Sequence, residues 1–231
     1  MDKTEELKKA AGVKAVDFVR AGMLVGLGTG STAEFAIKEL SRRARDGRLS
    51  GISCVPSSER TRSFAESLGL DLVELDMGKM IDVTIDGADE IDSDFNLIKG
   101  GGGALLREKV LAQNSRRNIV VADESKLSQR LGTHFPVPVE VLQFALEAEK
   151  NYLETLGGET ELRLAQDGSP FLTDQRNFIV DWSCGEIEDP SCFANRLSER
   201  AGIIEHGIFV GTATDVVIGF SRGVKHFIPG E

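Results

Sequence analysis

Cysteine is scarce in this chain. Cys54, Cys184 and Cys192 are the only three in 231 residues. The number is odd and no pair has CxxC spacing, so neither a disulfide framework nor a cysteine zinc site finds support. Histidine is as sparse: His134, His206 and His226 are scattered, and no histidine-based metal site is expected. Aromatic residues make up 6% of the chain, which argues against a base-stacking surface for single-stranded nucleic acid. Positive charge is also short, with 27 Lys and Arg against 37 Asp and Glu and a net charge of -10. That is the opposite of the basic footprint of a duplex or RNA binder. A small anion remains a possible ligand, because a site needs only local positive potential. No apolar run is long enough to span a bilayer. The start, MDKTEELKKA, is charged and helix-like and has no apolar signal core. The expectation is a cytoplasmic protein with no nucleic-acid or membrane partner.

What is present is a well-mixed globular composition. Hydrophobic residues are 41% of the chain, enough for one large domain or two modest ones. Residues from Thr4 to Ala21 read as an amphipathic helix that carries Lys8 in its polar part and stops at Gly22. Met23–Gly26 reads as a buried strand, followed by LGTGST and a helical pattern, AEFAIKELSRRAR. Strand, glycine-rich turn and helix is the arrangement in which backbone N–H groups cradle a phosphate. Ser31 occupies the position where a dinucleotide fingerprint needs glycine, and no GK[ST] follows for a Walker loop. A phosphate cradle and a purely structural βα turn both fit.

The theme then repeats: a strand over 52–55, a Pro-Ser-Ser turn, a helix through Leu68, and strands over 71–75 and 81–86. Alternating strands and helices predict a doubly wound, mostly parallel sheet, with ligands at the strand carboxyl ends. GTGST and Asp86 both lie at such ends. Residues Asp86–Lys109, DGADEIDSDFNLIKGGGGALLREK, hold two aspartates three apart, a lysine, four successive glycines and a glutamate near a helix start. Four glycines cost backbone entropy and pack nothing. The stretch is either a mobile loop with solvated charges or an active site for a small anion. Helical spacing puts Glu108 on a face with Leu105, Leu111 and Ala112, where a carboxylate is partly desolvated and suited to a base; the other reading is a surface glutamate balanced by Arg107 and Lys109. A strand over 119–122 then brings Asp123, Ser125 and Lys126 to the same rim.

From His134 onward the order is β-α-β-β-α-β, which predicts a small split-βαβ, ferredoxin-like α+β domain. The final strands, near 216–218 and 225–228, return to the first sheet. The expected division is residues 1–132 with 207–231 as a Rossmann-like catalytic domain and 133–206 as the small domain.

The chain resembles the type A ribose-5-phosphate isomerases. The resemblance rests on GLGTGST (26–32), the Pro-Ser-Ser turn, DGADE (86–90), IKGGGGALLREK (98–109), ADESK (122–126), FPVPVEV (135–141) and GVK (223–225). It implies an aldose–ketose isomerase of the non-oxidative pentose phosphate pathway that needs no metal or organic cofactor and forms a homodimer or homotetramer. It makes Glu108 the base and Asp86, Asp89 and Lys99 the rest of the catalytic set. It also implies substrate binding by Thr29, Gly30, Ser31, Thr32, Asp86, Gly87, Ala88, Asp89, Lys99, Gly100, Gly101, Gly102 and Lys126, with Lys8 helping to hold the phosphate. One departure is TDQRN (173–177), where Arg176 stands in place of the family's glycine. Two other readings use a similar fold: a sugar-phosphate sensor domain of DeoR type and an amino-sugar-phosphate isomerase. The sensor normally follows a basic helix-turn-helix and has no reason for Glu108, and the amino-sugar-phosphate isomerase lacks DGADE paired with KGGGGALLREK.

Overall fold

The computed structural model describes residues 2–75 and 78–230. Its helices are α1 (Lys3–Ala15), α2 (Ser31–Arg45), α3 (Glu59–Ser67), α4 (Leu105–Gln113), α5 (Leu146–Thr155) and α6 (Pro190–Ser198). Its strands are β1 (Leu24–Leu27), β2 (Ser53–Pro56), β3 (Val83–Gly87), β4 (Glu90–Ile91), β5 (Leu97–Ile98), β6 (Asn118–Asp123), β7 (Val137–Val141), β8 (Glu159–Leu162), β9 (Phe178–Ser183), β10 (Ile203–His206), β11 (Ile208–Phe209), β12 (Asp215–Phe220) and β13 (Gly223–Phe227). Contacts divide the chain into one unit of Met1–Gly87, Arg107–Lys126 and Thr212–Glu231 and another of Ala88–Leu106 and Leu127–Gly211. No helix among the described residues is long and apolar enough to cross a membrane.

The first unit is built on a six-stranded sheet in the order β13-β12-β6-β3-β1-β2. Its neighbours are parallel except for the β12–β13 hairpin at the edge. The central strands are apolar runs because helices cover both faces. Val25, Leu27, Val83, Ile85, Ile119, Val121 and Val217 pack with Ala11 and Ala15 of α1 and Ala36, Ile37 and Leu40 of α2. Strand alternation turns Val55 to the opposite face, where it packs with Ile81 and with Leu111 of α4. The chain leaves β1 for β2 on one side and returns to β3 on the other. The carboxyl ends of β1 and β3 therefore flank a topological switch point, the ligand crevice of such sheets.

Helix α1 lies hard against α2. A Cβ at Gly12 would stand 2.9 Å from Thr32 O and 3.0 Å from Ala36 N, so only glycine allows the approach. The helix ends at Ala15, short of the expected Ala21. Asp17 is drawn off by Lys14 and Arg43, and Val19 turns extended to lead toward β1. The expected strand over 71–75 is reduced to one bridge, Leu72 to Cys54. It makes two ladder hydrogen bonds at the sheet edge, Cys54 N to Asp71 O and Val73 N to Cys54 O, too few to build a strand.

The second unit contains an antiparallel sheet in the order β10-β7-β9-β8 with α5 and α6, which is the expected β-α-β-β-α-β. Its core includes Val137, Val139, Leu153, Val180, Trp182 and Leu197. Trp182 Nε1 donates to Gly157 O at 2.8 Å, so this residue is structural. Burial pushes the Cys184 thiol up to about 11 and the Cys54 thiol up to about 12, which makes both poor nucleophiles. A three-stranded sheet, β11-β5-β4, completes the unit and gathers Ala88–Leu106 and 207–211 into it. The contact division thus differs from the sequence boundaries at 132/133 and 206/207. Strands of two residues leave no periodic pattern to read.

Arg176 adopts the glycine conformation that its position demands, with φ of +66. Its N–H donates to Thr173 O at 2.8 Å and closes the turn. An L-residue there costs about 1–2 kcal/mol, partly offset by the roughly 0.5–1 kcal/mol of backbone entropy that glycine would lose. Arg176→Gly is therefore expected to raise unfolding free energy by about 0.5–1 kcal/mol, measured from urea midpoints at unchanged m-value. A destabilised variant would contradict the strain argument.

Candidate active site

In the first unit the site begins where β1 ends. Gly28 N donates to Ile85 O at 2.9 Å and keeps the loop on β3. A Cβ at Gly28 would lie 2.0 Å from Asp86 Oδ1, so any other residue would displace that carboxylate. Asp86 is 3% exposed, and its Oδ1 accepts Thr29 N at 3.1 Å and Gly87 N at 2.7 Å. These bonds fix a carboxylate at the switch point.

The Pro-Ser-Ser turn forms the floor of the loop. Thr29 Oγ1 meets Ser57 Oγ at 2.8 Å, Ser58 Oγ at 2.8 Å and Thr61 Oγ1 at 3.0 Å, while Thr61 Oγ1 donates to Gly28 O at 3.1 Å. The Thr29 hydroxyl is thus committed to shaping the loop. Sequence reading named this turn but gave Ser57, Ser58 and Thr61 no role. Their signal is three hydroxyl residues within five positions after a strand.

Helix α2 starts at Ser31, behind Gly30 with φ of +122. Its first-turn N–H groups have no acceptors within the helix and sit at the positive end of the dipole. Lys8 Nζ donates to Ser31 Oγ at 3.1 Å, and Thr32 is buried just behind. An ammonium, a hydroxyl and a helix N-terminus therefore stand together, which is the chemistry that holds a phosphate.

Glu108 lies in the first turn of α4 and is 4% exposed. Leu105, Leu111 and Ala112 on its face are buried. Arg107 pairs with Glu59 at 2.7 Å. Glu108 is a buried carboxyl group, and the surface reading of it fails. At the end of β6, Asp123 Oδ1 accepts Ser125 N at 3.0 Å and Ser125 Oγ at 2.5 Å. This Asx turn carries the half-buried Lys126. Asp123 is 1% exposed and acts as a positioning group that sequence reading left unassigned.

In the second unit, Ala88 links β3 to β4, and Asp89 Oδ2 accepts Gly101 N at 2.7 Å. Lys99 follows β5. Its N–H donates to Gly207 O at 2.9 Å, and its Nζ lies 5.6 Å from the centroid of the Phe209 ring. Lys99 is almost wholly buried, at 4% exposure, and the Phe209 face lies within cation–π reach of its ammonium. Gly100 is buried and Gly101 and Gly102 are exposed in the turn that follows. Glu90, the last residue of DGADE, is fully buried and accepts Ser128 Oγ at 2.5 Å, Gly132 N at 2.9 Å and His134 N at 3.1 Å. It ties the motif to the loop that enters β7. Among the described residues no group of three or more His, Cys, Asp or Glu is placed to hold a metal ion.

Each unit thus carries part of the expected set. The first holds Lys8, Thr29–Thr32, Asp86, Gly87, Glu108 and Lys126; the second holds Ala88, Asp89, Lys99 and Gly100–Gly102.

Comparison with known proteins gives this arrangement a context. The family model of ribose 5-phosphate isomerase A (phosphoriboisomerase A) matches residues 53–223. A ribose-5-phosphate isomerase A of Chloroflexus aurantiacus is 51% identical over 96% of this chain and 93% of its own length. Among solved structures, a D-ribose-5-phosphate isomerase in complex with phospho-erythronic acid superposes with a TM-score of 0.96, at 38% identity over 99% of this chain and 100% of that one. The ribose 5-phosphate isomerase A of Methanocaldococcus jannaschii gives 0.92 at 37% identity, over 97% of this chain and 99% of that one. Family model, sequence and fold agree, and the chain belongs to the ribose 5-phosphate isomerase A family.

Proposed function

We propose that the chain interconverts D-ribose 5-phosphate and D-ribulose 5-phosphate through an enediolate, with Glu108 as the base. The observation that carries this reading is a carboxyl group buried to 4% exposure on an apolar helix face, directly after the glycine turn. Moving a proton between C2 and C1 needs one base facing the carbons and donors facing the oxygens. A single carboxylate takes the proton from one carbon and returns it to the next. Lys99 supplies fixed positive charge for the developing oxyanion. Asp86 and Asp89 shuttle protons between O1 and O2 and assist ring opening. Lys8, Ser31, the start of α2 and Lys126 bind the phosphate and set the near-attack geometry. The ligand of one relative, phospho-erythronic acid, joins a phosphate to a planar carboxylate. That is the charge pattern of the proposed intermediate.

No metal or organic cofactor takes part in this scheme. The working form is a cytoplasmic homodimer or homotetramer. Exposed Leu142 and Phe144 on the second unit, at 39% and 101%, offer apolar surface for such a contact. The direct test is to follow ketose formation by the purified protein from ribose 5-phosphate. Turnover supports the reading, and a folded protein without turnover defeats it. Within the scheme, Lys126→Ala removes binding common to substrate and transition state. It is expected to raise KM about 10- to 100-fold with kcat near native, in line with one lost charge-assisted hydrogen bond. A fall in kcat alone would reassign Lys126 to the chemistry.

A further inference from the structure

Arg163 directly follows β8 and belongs to none of the motifs that carry the chemistry. Its guanidinium reaches the glycine turn of its own unit, where Nη1 donates to Gly100 O at 2.8 Å and to Gly101 O at 3.2 Å. The other edge of the group pairs with Asp181 of β9. Nε donates to Asp181 Oδ2 at 2.9 Å, and Nη2 donates to Oδ1. The Arg163 side chain is 14% exposed. A two-armed pair with a carboxylate fixes the plane of a guanidinium, which leaves Nη1 aimed at the turn.

Peptide geometry makes that contact consequential. The peptides of the described residues are trans, so each carbonyl and the N–H that follows it point in opposite directions. With Gly100 O held by Arg163, the Gly101 N–H is turned away, and it donates to Asp89 Oδ2 at 2.7 Å. With Gly101 O also held, the Gly102 N–H is turned to that same side. Gly103 N adds a second bond to Gly100 O at 2.9 Å and closes the turn. Glycine peptides rotate at little cost and have no side chains to select one orientation. From inside the turn the Gly103 N–H holds the Gly100 carbonyl, and from outside it Arg163 holds the Gly100 and Gly101 carbonyls together.

We propose that Arg163, held by Asp181, is a positioning residue for the isomerisation: it sets the orientation of the Gly100–Gly101 and Gly101–Gly102 peptides and, through the Gly101 N–H, the carboxylate of Asp89. The proposal rests on the reading of Asp89 as a catalytic group. Arg163 touches no reacting atom and acts through the turn.

The test is steady-state kinetics of Arg163→Ala and Arg163→Lys on ribose 5-phosphate, with thermal unfolding of each variant as the control for folding. Arg163→Ala is expected to lower kcat about 10- to 100-fold, the scale of a misplaced catalytic group, while KM stays within about twofold of native. Arg163→Lys keeps a charge but loses the fork, and its kcat falls between the two. Added guanidinium restores part of the Arg163→Ala rate. In an Asp89→Asn background, Arg163→Ala costs nothing further, because both changes act on one group. A folded Arg163→Ala with native kcat, or one whose loss multiplies fully with that of Asp89→Asn, overturns the proposal. If Arg163→Ala does not fold, Arg163→Lys carries the same test, and native kcat in that variant overturns it. A native chain without turnover defeats the isomerase reading instead; an active chain indifferent to Arg163→Ala defeats the positioning role alone.

Discussion

Glu108→Gln is expected to lower kcat by about 10³-fold or more with little change in KM or in stability. Glutamine keeps the size and shape of the side chain and can fill the same space in the first turn of α4. It removes the one property the reaction needs, a carboxylate that accepts a proton from carbon. Glu108 shares a helix face with buried Leu105, Leu111 and Ala112 and is itself 4% exposed, so bulk water has poor access to take its place. Stability should hold because the substitution leaves no new cavity and removes a buried charge. The comparison of kcat at saturating substrate, with circular dichroism as a folding control, decides the matter. A Glu108→Gln variant with near-native kcat would rule Glu108 out as the base.

Lys99→Met is expected to lower kcat about 10²- to 10³-fold, the usual loss when one preorganised oxyanion donor is removed. Methionine replaces most of the apolar stem and leaves out the ammonium. The native group is set in advance: it is buried beside Phe209, and its backbone is fastened to Gly207 O at 2.9 Å. A charge held in place at low exposure needs no reorganisation when the oxyanion forms. Because the ground-state sugar is neutral at those oxygens, most of the loss belongs in kcat. The Lys99→Arg change is expected to be impaired as well, since a planar fork does not fit the place of a compact ammonium. Measurement of kcat and KM for Lys99→Met and Lys99→Arg tests this. A Lys99→Met enzyme affected only in KM would move Lys99 from stabilising the oxyanion to binding.

Much of this was legible in the sequence, and the legible parts share a cause. GTGST, DGADE and KGGGGALLREK are local: each combines residue types that are costly in a structural segment, so each stands out without knowledge of the fold. The placement of GTGST and Asp86 at strand carboxyl ends followed from the alternation of strands and helices; the switch point between β1 and β3 needed the strand order. Helical spacing offered Glu108 an apolar face but left a surface reading beside it, and its 4% exposure decides between them. What escaped was assembled from distant positions. Arg163 lies 62 residues beyond Gly101 in the chain, and an arginine after a strand carries no mark of what its guanidinium meets. Ser57 and Ser58 read as an ordinary turn, and Thr61 as part of the helix after it, until Thr29 is placed on them. Strands β4, β5 and β11 are two residues each, too short to show alternation, and with them went the division of the chain around Ala88–Leu106. Arg176 was visible as a departure from the family turn; that it takes up a φ of +66 was not.

Proton movement at carbon is the centre of the account, and one exchange experiment addresses it. The native chain and Glu108→Gln are incubated with ribose 5-phosphate in heavy water, and carbon-bound deuterium at C1 of the ketose is followed by NMR. The account predicts slow build-up of solvent deuterium at C1 over repeated turnovers with the native chain, because the carboxylate passes most of the hydrogen directly from C2, and loss of that build-up in step with turnover in the variant. A Glu108→Gln variant that exchanges this position at the native rate would contradict it.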